Sequence, residues 1–134
     1  MIALDTNVVL RMLDVTDPEQ RARADALVRA QGLGGCFINA IVLCEFAWTL
    51  GRAYRRQREE IAERLEVLLE APEFLISEPE EAARALARYR DGPADFADYF
   101  LAEINRSAGC ANTATFDEDA LKASDLFCAV PALS

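Results

Sequence analysis

The sequence predicts an α/β fold with a mostly parallel sheet covered by helices on both faces. Short apolar runs recur at 2–5, 36–39, 74–77, 110–115 and 126–130, as strands buried inside such a sheet do. The segments between them are mostly long and carry apolar residues at helical spacing. Strands joined through helices of that length pair in parallel.

Each element has a local reason. Ile2–Asp5 is a short strand and Asn7–Leu13 continues it as a turn or two of helix. Asp17-Pro18-Glu19-Gln20 starts a helix, with Asp as cap, Pro first and Gln third. Gly32, Gly34 and Gly35 end it near Gln31, before the strand Cys36–Asn39. Ala40–Tyr54 is apolar almost all round and so is expected to be a buried helix. Glu59–Glu70 is amphipathic, with Ile61, Leu65 and Leu68 on one stripe, and Pro72 stops it. Phe74–Ser77 is a strand, and Pro79–Arg90 is a helix closed by Asp91-Gly92-Pro93. Asp95–Ser107 follows with Ala97, Phe100, Leu101 and Ile104 at helical spacing. Cys110–Thr115 and Leu126–Val130 complete the strands, with a short helix Glu118–Ala123 between them.

The 134 residues are expected to form a single domain, 1–134. No apolar run approaches the roughly 20 residues of a membrane span. The first residues lack the basic region of a signal peptide. Cys36, Cys44, Cys110 and Cys128 have no CxxC spacing and lie mostly among apolar residues. They are expected to be reduced core thiols of a cytoplasmic protein. The net charge of −9 excludes a general phosphate-coating DNA binder, but it leaves room for a local nucleic-acid site. Thirteen of the fourteen basic residues are Arg, and Arg52, Arg55, Arg56 and Arg58 crowd together. That cluster is either a solvated helix end or a patch that grips phosphate or an acidic partner segment. No histidine is present, which excludes Ser-His-Asp, Cys-His and histidine-ligated metal chemistry.

Acids stand out at four places. Asp5 follows the first strand, where it caps a helix or faces the crevice at the strand ends. Glu45 is the one charge between Asn39 and Arg52, and an ionised carboxylate buried there costs several kcal/mol, on the order of any buried ion, without a cation. A buried Arg or a bound metal would compensate it. Asp95 and Asp98 fall at a helix start, Asp95 as the cap and Asp98 at the border of the apolar stripe. Asp117 and Asp119 lie just beyond a strand end. The first is expected to cap the short helix and face the crevice, because Phe116 turns its ring to the core. Asp119 is expected to point outward. Singly, the aspartates have ordinary capping or helix-dipole roles, and a buried Arg would answer for Glu45. Together they lie after the first strand, inside the helix after the second, at the start of a later helix and after a fourth strand. In a doubly wound sheet these positions can converge, and converging carboxylates need a divalent cation. Oxygen ligands alone select Mg²⁺ or Mn²⁺. Such ions serve displacement at phosphorus, so the pattern points to phosphodiester hydrolysis.

The segments LDTNVVLR, INAIVLCEFAWTL, GPADFADYFLA and TFDEDA, in this order and spacing, together resemble the PIN-domain family. They resemble most closely its VapC-type ribonuclease toxins from bacterial toxin–antitoxin pairs. The resemblance spans nearly the whole chain. It implies a three-layer α/β/α sandwich with four to five strands, Mg²⁺- or Mn²⁺-dependent RNA cleavage, a homodimer, and an antitoxin that blocks the site. The family's acids fall on Asp5, Glu45, Asp98 and Asp117, and its supporting polar residues on Thr6 and Thr115. Asn39 stands where Ser or Thr is commoner. Tyr99-Phe100 replaces a smaller pair and is expected to enlarge a wall near the site.

Other readings compete. A haloacid-dehalogenase-like phosphatase would carry Asp at position 7, which is Asn7. A receiver domain would place a lysine at a late strand end, whereas Lys122 follows Asp117 in a helix. A catalytically weak PIN-fold module that binds RNA or protein is a further alternative; four retained acids count against it, since an idle cluster destabilises a fold.

Overall fold

Three apolar tripeptide-scale runs form three short strands, β1 (Ile2–Ala3), β2 (Cys36–Ile38) and β3 (Phe74–Ile76), in a computed structural model that describes residues 1–14 and 17–133. They hydrogen-bond in the order β1-β2-β3, all parallel. The register pairs Ala3 with Phe37 and Ile38 with Ile76. These strands lie in the first of two compact units, Met1–Pro79, the second being Glu80–Ser134.

Parallel neighbours need crossovers, and each crossover in the first unit is a helix pair. Helices α1 (Thr6–Leu13) and α2 (Pro18–Gln31) join β1 to β2, and α3 (Ala40–Arg52) and α4 (Arg58–Glu70) join β2 to β3. The start of α2 is as expected: Pro18 opens it and the Asp17 carboxylate accepts from Gln20 N at 3.0 Å. Val9, Leu10, Leu43, Phe46, Leu50, Leu65 and Leu68 are buried, with Cys36 and Ile38 of the central strand. Each buried aliphatic side chain contributes about 1.5–3 kcal/mol over leaving it in water. The predicted stripe Ile61, Leu65 and Leu68 of α4 is wholly buried.

One polar group also enters this unit. Asp14 is only 3 % exposed, and Arg56 grips both of its oxygens, Nε at 2.9 Å and Nη2 at 2.7 Å. Arg64 stands 3.9 Å away. The paired guanidinium holds the Asp14 carboxyl below its usual range, which is how a buried carboxylate stays ionised.

The expectation that the third helix is buried all round is not met. Its apolar face with Leu43, Phe46 and Leu50 is inside, but Ile41 is 71 % exposed, Trp48 59 % exposed, and Glu45 between them is exposed too. Residues 41, 45, 48 and 52 recur at helical spacing and form one solvent-facing stripe. Two cysteines also depart from expectation: Cys36 is buried, but Cys110 and Cys128 are exposed.

In the second unit, α5 (Pro79–Asp91, whose first residue closes the other unit) and α6 (Phe96–Ser107) precede a parallel pair, β4 (Thr113–Thr115) and β5 (Phe127–Ala129). The short α7 (Glu118–Leu121) crosses between those strands. Tyr89 meets Phe96 edge-on at 6.2 Å, and Phe96 leans on Phe100 at 5.4 Å. Tyr99 and Phe100 are both buried, and Tyr99 lines a cavity with Arg88, Gly92 and Lys122. Tyr99 also approaches Gly92 closely, where a β-carbon would overlap its hydroxyl. That hydroxyl accepts from Ala94 N at 3.3 Å. Charge ties the periphery: Arg84 pairs with the buried Glu103 at 2.8 Å. Arg88 forks onto Asp125 with two 2.7 Å bonds, and Arg106 reaches the same carboxylate at 3.3 Å. The two guanidiniums hold Asp125 far below the usual carboxylate range.

Candidate active site

In the first unit, the parallel register sets the polar residues in a row. Leu4 N donates to Phe37 O at 2.9 Å, so Asp5 and Asn39 each stand just past the C-terminal ends of adjacent strands. Ligand sites of open parallel sheets form at such ends. Asp5 is the cap of α1, its carboxylate accepting from Thr6 N at 2.7 Å, yet it stays exposed between buried Leu4 and Thr6. Asn39 caps α3 by accepting from Val42 N at 2.9 Å, a task asparagine performs as well as serine.

The cap at Asn39 starts the helix that delivers Glu45. The buried Thr6 hydroxyl donates to Glu45 Oε1 at 2.8 Å. Asp5, Thr6 and Glu45 are thus brought together, two by adjacency and the third through one hydroxyl. Glu45 was expected to be a buried charge in need of compensation. It is exposed instead, because the face of α3 that bears it is turned to solvent. The desolvation argument therefore fails for Glu45, while its placement beside Asp5 stands on the Thr6 bond.

One further residue went unnoticed in the sequence. Ser77 follows β3 as Asn39 follows β2, and its buried hydroxyl has no hydrogen-bond partner among the described residues. The strand-end position was the available signal, but serine there carries no charge to draw attention.

In the second unit, Asp95 occupies the cap position of α6 without a side-chain cap bond. Asp98 takes a hydrogen bond from the Asp95 backbone and is half-buried, as expected. Burial, then the negative charges of Asp95 and Asp117, push the Asp98 carboxyl above its usual range. Asp98 therefore lies within electrostatic reach of Asp95 and Asp117. Asp117 is the cap of α7, accepting from Asp119 N at 2.8 Å and Ala120 N at 3.1 Å. Its own N–H donates to Thr115 Oγ1 at 3.0 Å. Asp119 points outward and pairs with Lys122 at 3.5 Å. Phe116 contradicts the expected register: its ring is 82 % exposed instead of turned to the core.

A contrast separates these acids from the others that are buried or bridged. Asp14, Glu103 and Asp125 each have an Arg partner. Asp5, Glu45, Asp98 and Asp117 have no cationic partner among the described residues. Among those residues, no group of three or more acid, cysteine or histidine side chains is gathered closely enough to hold a metal ion. Of the predicted arginines, Arg56 is committed to Asp14. Arg52 and Arg55 are exposed.

The family model of the PIN domain matches residues 2–126. The chain belongs to the PIN domain family. This PIN domain match runs through both compact units, and PIN domains are nucleases as a family. A crystal structure of Mycobacterium tuberculosis VapC20, described as a sarcin–ricin loop cleaving toxin, aligns over 94 % of this chain and 97 % of its own. That likeness has 19 % identity and a TM-score of 0.43. No curated protein matches the PIN domain sequence significantly. No helix of its described residues is long and apolar enough to cross a membrane.

Proposed function

We propose that this chain is a metal-dependent endoribonuclease acting as the toxin of a type II toxin–antitoxin pair. On this reading residues 1–134 make one PIN domain that hydrolyses RNA phosphodiester bonds. It works in the cytoplasm, is inhibited by a cognate antitoxin, and functions as a homodimer. The observation that carries the reading is the set of four acids left without a cationic partner, Asp5, Glu45, Asp98 and Asp117, in a PIN domain. The donor chemistry fits Mg²⁺ or Mn²⁺, because all four are hard oxygen ligands and no histidine competes. When bound, such an ion activates water and offsets charge on the phosphate. The chain's own residues do the rest. Thr6 holds the Glu45 carboxylate by one oxygen and leaves the other open. The helix cap likewise uses one oxygen of Asp117 and spares its partner.

The test is cleavage of RNA by the purified chain, free of antitoxin, with Mg²⁺ or Mn²⁺ and then with EDTA. Cleavage should require the ion, and activity that persists in EDTA overturns the mechanism. Glu45→Gln should abolish cleavage while leaving stability within about 0.5 kcal/mol, as exposed substitutions do, since the amide oxygen can still accept from Thr6.

A further inference from the structure

The exposed stripe of α3 has a composition that its own fold does not use. Ile41, Glu45, Trp48 and Arg52 share one face, and Trp48 stands one turn beyond Glu45. Arg52 follows after four more residues, about 6 Å along the axis. Neither the Arg52 nor the Arg55 guanidinium makes a hydrogen bond or ion pair with any described residue. We propose that Trp48 is a stacking platform for a base of single-stranded RNA, with Arg52 holding a phosphate of the same strand. This rests on reading the neighbouring acids as a ribonuclease site, and it adds how the substrate is presented to them.

Three considerations select this occupant. An indole face stacks on any base, and base–aromatic stacking needs one exposed ring and no sequence code. The charges are ordered: Arg52 attracts phosphate on one side of Trp48, and Glu45, one of the acids read as the nuclease site, lies on the other. A strand is thereby oriented with its base over the ring and its phosphate toward the guanidinium. A second protein surface fits less well, because the core of a protein interface is depleted of charge. Here Glu45 lies between the apolar residues Ile41 and Trp48.

Trp48 is the one tryptophan of the chain, so its fluorescence reports on this face alone. The full chain is titrated in EDTA with short oligouridylate and oligoadenylate, with anisotropy of labelled RNA as a second readout. Saturable quenching by both oligomers is expected. Trp48→Ala should weaken binding at least about fivefold, and Trp48→Phe should recover most of it. Arg52→Ala should flatten the slope of log affinity against log salt by about 0.7, one phosphate contact. Unchanged fluorescence at saturating RNA, absence of RNA binding, or Trp48→Ala binding as tightly as the wild type overturns the proposal. So does equal quenching by duplex RNA, or a fluorescence change with protein concentration alone, which would place a second copy on this face. Cleavage measured separately with Mg²⁺ or Mn²⁺ keeps the two readings apart. Cleavage with an unresponsive Trp48 sinks the platform only, and quenching without cleavage sinks the nuclease only.

Discussion

On the proposed reading, Asp117 combines a helix cap with a cation ligand. Its Oδ1 accepts both cap bonds of α7, which asparagine would keep, while the negative charge is what a cation needs. Asp117→Asn should therefore leave thermal stability nearly unchanged and lower turnover by on the order of a hundredfold, the scale of one electrostatic contact to a transition state. Asp119→Asn loses only an exposed pair with Lys122 and should change turnover a few-fold at most. Side-by-side kinetics decide it, and a larger loss at 119 would refute the assignment. The role of Asp117 was legible because capping is local: a strand end, a polar cap and a short helix are adjacent in sequence. Phe116 was not legible in the same way. Alternation between faces binds a residue only while the strand lasts, and β4 stops at Thr115.

At the level of elements, the Asp14–Arg56 pair fastens the end of α1 to the connection between α3 and α4. Arg56→Gln removes a forked partner from a buried carboxylate. The urea midpoint at neutral pH should fall, since Asp14 is left buried without its forked partner, and the loss is moderated because Arg64 remains near. The pH dependence has a definite sign. Asp14 is held lower in the folded chain than when unfolded, so the stability it contributes is present above the ordinary carboxylate range. It is lost as the pH falls toward the lowered folded value. The gap between wild type and Arg56→Gln should close on acidification through pH ~4 and below, and a gap that widened would contradict the pairing. Helix and strand order was readable from periodicity, and the cap at Asp17 set the start of α2. The burial of α3 was misjudged because apolar composition shows how much a helix could bury, not whether a neighbour exists for each face. Asp14 was overlooked because its partner is 42 residues away and no local pattern links them.

For the molecule as a whole, the α/β class and parallel pairing were legible from apolar runs between helices. The split into three and two hydrogen-bonded strands was not, since pairing between distant runs leaves no trace in one sequence. Asp5, Asp98 and Asp117 were singled out by strand-end and helix-start positions and Glu45 as the lone charge of an apolar helix; burial proved true of Asp98 and false of Glu45. Assembly is a further matter of the whole chain. Light scattering at micromolar concentration should return twice the mass of the chain, and a monomer throughout would refute the homodimer. The measurement belongs in reductant, because Cys110 and Cys128 are exposed and could crosslink copies in air.

The close approach of Gly92 to Tyr99 makes two positions into one unit of inheritance. While a tyrosine fills position 99, a β-carbon at 92 has no room, and overpacking of this kind costs about 1–3 kcal/mol. Once position 99 shrinks, the crowding at 92 eases to the Arg88 carbonyl at 3.1 Å, and Ala94 N loses its bond to the Tyr99 hydroxyl. Sequence drift through this corner thus has a permitted order: the aromatic must go first, and the glycine can follow.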